Sequence, residues 1–209
     1  MINEKKCAPG LSQCYEIISN MEMPDHILAH SVKVCKVAFI IGHELKKTYG
    51  DIKIGLLTAG ALLHDITKAK SIVTGEKHSE TGAELLKSKG YKKVADIVRQ
   101  HGKLDNFSET GPVTEAEIVN YADKRVLNDK ITPLYDRMNY IVKRYGTTPR
   151  KKEFFMSMWK QAELLEKKLF RNIFFPPEEL EKQLYEFKIK ELDGSGFNFY
   201  NFPVDGKIE

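Results

Sequence analysis

Apolar side chains recur at helical spacing through most of the chain. Ile27, Val34, Val37, Ile41 and Leu45 fall on one face of a long helix that Pro24 opens and Lys46, Lys47 and Gly50 close. Ile52 to Lys68 is apolar on nearly every side, as expected of a helix packed centrally among others. Residues 80–89 read as a helix ending at Lys87, Lys89 and Gly90, and Val94, Ile97 and Val98 mark a short one stopping at His101 and Gly102. After a loop from Asn106 to Thr114, a further helix is predicted over Glu115–Val126, with Ala116, Val119 and Val126 on its inner face. Two more are expected at about 132–145 and 150–171, before Pro176 and Pro177 break the pattern. No period-2 strand is expected before a tail holding Gly194, Gly196 and Pro203. The fold class is all-α: an N-terminal segment over 1–20, a helical bundle over 21–172, and a C-terminal helix and tail over 173–209.

Composition agrees with that reading. The chain has 209 residues, 42% hydrophobic and 30% charged, which excludes disordered, collagen-like and membrane classes. Its charges are interleaved and sum to +4, so charge alone does not call for a nucleic-acid partner. Cys7, Cys14 and Cys35 form no CxxC pair, and the odd count with no leader-like apolar run predicts a cytoplasmic protein.

Chemistry shows where ionisable side chains occupy positions that the helical period assigns to the core, because burying them unpaired costs several kcal/mol, roughly. His30 lies on the stripe of Ile27, Val34 and Val37. His64 and Asp65 end the apolar run GALLHD, His101 extends the stripe of Val94, Ile97 and Val98, and Asp123 sits with Ala116, Val119 and Val126. Any one of these has an ordinary structural explanation. Together, imidazoles and carboxylates pointing inward from different helices can satisfy one another through a divalent cation. His64 and Asp65 are adjacent and diverge by about 100° on an ideal helix, so both serve one cluster only at a helix edge, or if Asp65 bridges two ions.

His30, the pair His64 and Asp65 within LLHDITK, and Asp123 within NYADKRV resemble the HD superfamily of metal-dependent phosphohydrolases, over about residues 20–145. The resemblance implies an HD-domain helical bundle in which His30, His64, Asp65 and Asp123 bind a divalent metal. His78 and His101 resemble the histidines of the binuclear branch, which implies a second ion bridged by Asp65. Read as residues, His78 is equally a loop histidine at a helix start, and His101 a helix C-terminal histidine favoured by the macrodipole. Thr67 departs from the glycine frequent in the family after the HD-Ile, and the signature of cyclic-dinucleotide phosphodiesterases is absent. His26 and His43 are assigned to surface or supporting places.

Imidazole-rich ligation favours Fe, Mn, Zn, Co or Ni, with two ions expected per chain. Asp65 is the expected catalytic carboxylate. Lys68, three residues on, is a candidate phosphate clamp or an ordinary helix-end lysine. Lys124 and Arg125 follow Asp123 and face substrate or solvent; Arg125 is taken as a substrate contact. The basic residues Lys143, Arg144, Arg150, Lys151 and Lys152 read as a solvated loop, with a nucleotide or RNA contact as the alternative, and Phe154 with Phe155 as packing residues rather than base-stacking platforms. The expected function is hydrolysis of a phosphate ester or anhydride of a nucleotide or dinucleotide by metal-activated hydroxide. A non-catalytic nucleotide or metal sensor and an RNA-associated phosphodiesterase are the alternatives.

Overall fold

The structure, a computed structural model, describes residues 7–189. Its helices are α1 (Leu11–Asn20), α2 (Asp25–Tyr49), α3 (Ile54–Leu63), α4 (Lys68–Thr74), α5 (His78–Ser88), α6 (Lys92–Gln100) and α7 (Glu115–Asp123). A two-stranded antiparallel hairpin follows, β1 (Val126–Leu127) against β2 (Lys130–Ile131), with Val126 opposite Ile131. Then come α8 (Leu134–Tyr145), α9 (Pro149–Phe170), a 3-10 turn at Pro177–Glu179 and α10 (Leu180–Ile189). The described residues are all-α apart from this hairpin. The glycine- and aromatic-containing tail expected after α10 lies outside the described residues.

α2 is the axis of the bundle, packing along α3, α7 and α10. Its start carries Asp25 in the first turn and its end carries Lys46 and Lys47, both matched to the helix dipole. Gly50 stops it at φ 73°, where a side chain would be strained, and its N–H donates to the Lys46 carbonyl. α3 is buried on all sides, between α2 and α6. Its Gly60 lets α6 approach closely: a Cβ there would lie 2.6 Å from Cγ2 of Ile97. This packing brings the ends of α3, α6 and α7 together beside the first half of α2.

Besides the hairpin, which cuts the helix expected over Glu115–Val126 short at Asp123, two further elements differ from expectation. α1 forms within the stretch expected only as an N-terminal segment, and Cys14, Ile17 and Ile18 join the same buried cluster as α2 and α3. The helix expected over Ile52–Lys68 ends at Leu63, because the backbone tightens there. Ile66 N–H donates to Leu63 and Lys68 N–H to Asp65, both three residues back, before α4 begins.

Candidate metal centre

That tightened turn places His64 and Asp65. Both side chains reach one interior point, which a continuing ideal helix would oppose. His30 comes from the first turns of α2, His78 from the start of α5, His101 from the end of α6 and Asp123 from the last residue of α7. His30, His64, Asp65 and His101 are buried.

The Asp65 carboxylate stands between two sets of imidazoles. Its Oδ2 lies 3.3 Å from Nε2 of His64 and 3.9 Å from Nε2 of His30. Its Oδ1 lies 3.2 Å from Nε2 of His78 and 3.8 Å from Nε2 of His101. Asp123 closes the first set, with Oδ1 3.0 Å from His30 Nε2 and 3.8 Å from His64 Nε2. Two groups of side chains are thus able to hold a cation, His30 with His64 and Asp65, and Asp65 with His78 and His101.

Backbone carbonyls fix the orientation of three of the rings. Nδ1 of His30, His64 and His101 lies 2.7, 2.7 and 2.6 Å from the carbonyls of Asn128, Ala61 and Val98. A carbonyl only accepts, so each Nδ1 is the N–H donor and each Nε2 is the ring nitrogen turned inward, the arrangement of metal-binding histidines. The Asn128 carbonyl belongs to the turn of the hairpin, and Asn128 itself has φ 55°. The hairpin that the hydrophobic pattern missed therefore orients the first histidine of the cluster. Thr67 donates its hydroxyl to the His78 carbonyl at 2.9 Å and so ties the turn to the start of α5.

The cluster calls for positive charge. His64 Nε2 and Asp65 Oδ1 are buried without a hydrogen-bond partner, an arrangement that normally costs about 1–3 kcal/mol per group. Burial works to raise the Asp65 carboxyl, but His64, His78 and Lys68 outweigh it and hold the group well below the usual carboxylate range. Burial also opposes the low value of Asp123, which the His30 hydrogen bond and the charges of His64 and Arg137 impose. His101 is pushed down to about 3 by burial and by His64, so its ring is neutral and available as a ligand. Unsatisfied atoms around the buried Asp65 carboxylate, with the half-buried Asp123 beside it, fit divalent cations.

Lys68, at the first position of α4, places Nζ 2.6 Å from Asp65 Oδ2 while a third of its side chain remains exposed to the cleft. Arg125 is placed differently from expectation. Its guanidinium turns away from the cleft and donates to the Thr132 and Pro177 carbonyls at 2.9 and 3.0 Å, beside Tyr121 and Glu166. It clamps the hairpin and the C-terminal segment, and is 3% exposed. Arg137 of α8 faces the cleft instead, 3.8 Å from Asp123 Oδ1, with its buried Nε lacking a partner. Lys124 is buried as well, donating to Asn120 and to the His101 carbonyl; burial lowers it to about 8. His26 and His43 lie outside the cluster; His43 stacks on Phe39. No helix among the described residues is long and apolar enough to cross a membrane.

A model of the HD domain matches residues 27–126. The tRNA (cytidine(56)-2'-O)-methyltransferase of Thermoplasma volcanium is 35% identical over 97 residues, which cover 46% of this chain and 27% of that protein. Ribonuclease Y of Fervidobacterium nodosum is 34% identical over 100 residues, 47% of this chain and 17% of that protein. An uncharacterised protein of Methanocaldococcus jannaschii is 26% identical over 135 residues, 58% of this chain and 79% of that one. The matches thus span less than a third of either named enzyme. No solved structure gives a significant match. The matched segment holds every residue of the cluster from His30 to Asp123, and residues 27–126 belong to the HD domain family.

Proposed function

We propose that the chain is a metal-dependent phosphohydrolase that cleaves a phosphate ester or anhydride of a nucleotide. The observation that carries this reading is the Asp65 carboxylate, whose two oxygens face two separate sets of imidazole nitrogens. His30, His64, Asp65 and Asp123 would hold one ion, and Asp65, His78 and His101 a second. Such ions supply Lewis acidity toward a phosphoryl oxygen and lower the pKa of bound water. The carbonyls of Asn128, Ala61 and Val98 hold three of the ligand rings in the metal-binding tautomer, so little reorganisation accompanies loading. Lys68 and Arg137 stand on the cleft side of the two carboxylates, where each can neutralise a non-bridging phosphoryl oxygen.

The two cations are separable from the ligands by experiment. Lys68→Ala and Arg137→Gln are each expected to reduce kcat/KM about 10- to 1000-fold, the usual cost of removing one charged stabiliser, with little change in metal content. Elemental analysis beside steady-state kinetics checks this. Loss of metal with substrate affinity unaltered would return both residues to purely structural places.

The function itself is tested by stripping the protein with a chelator, reloading it with Mn, Fe, Zn, Co or Ni, and assaying a panel of mononucleotides, dinucleoside polyphosphates and phosphodiesters. Turnover dependent on metal is expected, with two ions per chain in the wild type and about one fewer in His101→Ala. No turnover with any metal would leave a cation-binding protein without hydrolase activity. One ion in both proteins, with equal turnover, would make the site mononuclear.

A further inference from the structure

The cleft that reaches Asp65, Lys68 and Asp123 continues well past them. It encloses about 730 Å³, and its far wall is made by Arg137, Tyr145, Phe154 and Phe155 of α8 and α9. A second cavity of about 650 Å³ shares these aromatic rings, being lined by Tyr145, Phe154 and Phe155 together with Arg144, Arg150 and Lys151. Both helices lie beyond the matched segment 27–126.

The rings form one ledge between the cavities. Phe154 and Phe155 have centroids 5.3 Å apart at 73°, and Tyr145 and Phe155 6.1 Å apart at 41°. Phe155 is rooted in the core, whereas Tyr145 and Phe154 remain 49% and 45% exposed. A lone exposed aromatic is ordinary, but here two are contiguous at the junction of two cavities. The surrounding cations are uncommitted: Lys143, Arg144, Arg150, Lys151 and Lys152 are exposed and make no ion pair with any described residue. The sequence suggested a solvated loop beside packing phenylalanines, with an RNA contact as the alternative. The fold places the loop and the rings on the way out of the metal cleft.

We propose that this ledge and the second cavity form a track for a single-stranded oligonucleotide whose reacting phosphate sits at the metal centre. Flat aromatic faces alternating with cations suit stacked bases alternating with phosphates, whereas an acidic peptide would use the cations and leave the rings in water. Arg137 marks the inner end of the track and Arg150 with Lys151 the outer end. The inference rests on the hydrolase reading only in taking the cleft as the seat of the reacting phosphate.

Binding to the full chain, stripped of metal with a chelator, tests the track independently of activity. Fluorescence anisotropy is read with a labelled oligouridylate decamer and dinucleotide, and with oligothymidylate to separate RNA from DNA. The decamer should bind at least about tenfold more tightly than the dinucleotide, and Phe154→Ala should weaken it about tenfold by removing a stacked base. Joint replacement Arg150→Gln and Lys151→Gln should reduce the slope of log affinity against log salt by about 1.4, roughly 0.7 for each lost phosphate contact. All three side chains are exposed, so circular dichroism should report an unchanged fold. Equal affinity for decamer and dinucleotide, or full competition by polyglutamate, would overturn the track. Length-dependent binding by a protein that hydrolyses no phosphate compound would overturn the hydrolase reading and leave the track standing.

Discussion

Asp65→Asn is expected to abolish turnover while leaving the bundle folded. The substitution keeps the shape of the side chain but removes the only charge that faces both sets of imidazoles, with Oδ2 toward His64 and Oδ1 toward His78. Both proposed ions would lose a ligand at once, and activity should fall on the order of a thousandfold or more, several kcal/mol of transition-state stabilisation. Removing a peripheral ligand such as His101 disturbs one set only, so its effect should be smaller. Thermal melts provide a readout that does not depend on catalysis. A metal present at about 100 times its dissociation constant stabilises the folded state by about 2.7 kcal/mol, equivalent to roughly 5–10 °C in a chain of this size. Wild-type protein should show that rise on adding Mn, and Asp65→Asn should show little of it. A metal-replete Asp65→Asn protein with full turnover would refute both the bridging place of Asp65 and the catalytic reading built on it.

Most of the site residues that were legible in the sequence share one property, being ionisable groups on an apolar stripe; His78 was legible only through the family resemblance. His30 among Ile27, Val34 and Val37, and Asp123 among Ala116 and Val119, stand out because the helical period assigns them to the interior, and His30 is indeed 6% exposed. α2 was legible for its stop signals, Lys46, Lys47 and Gly50, which do end it. The hairpin was not, since strands of two residues have no periodicity. Its signal was confined to Asn128 and Asp129 between Val126–Leu127 and Lys130–Ile131, a weak turn signature beside a glycine-containing one. α1 escaped for lack of a capping side chain at Gly10, although Leu11, Cys14, Ile17 and Ile18 carry a short helical stripe. Arg125 and Arg137 show how adjacency misleads. Arg125 follows Asp123 in sequence, but α7 has ended and the chain turns toward the hairpin. Arg137 lies on the stripe of Leu134, Met138 and Ile141, three residues from the first and four from the last. A cation on an apolar stripe was the same signal that revealed the histidines.

The largest loss of stability from a single change outside the metal cluster is expected at Lys168. Its ammonium reaches 2.7 and 2.9 Å from the two carboxylate oxygens of Glu117 and donates to the carbonyls of Ser108 and Pro112 at 2.9 and 3.1 Å. Both side chains are buried, at 4% and 6% exposure, so the pair is not one of the surface bridges that contribute little. Glu117 also closes the capping box of α7, accepting the Thr114 N–H while its own N–H donates to the Thr114 hydroxyl. Lys168 therefore fixes the loop after α6 and the start of α7, the helix that ends on Asp123. Replacing it by Met keeps the aliphatic stem but leaves a carboxylate and two carbonyls buried without their donor. The expected loss is about 3–5 kcal/mol, seen as a lower urea midpoint. Adding Glu117→Gln should recover part of it, because glutamine still accepts from Thr114 and no charge remains to be compensated. If Lys168→Met cost less than about 1 kcal/mol, the pair would behave like an exposed bridge, and the loop after α6 would owe its position to packing alone.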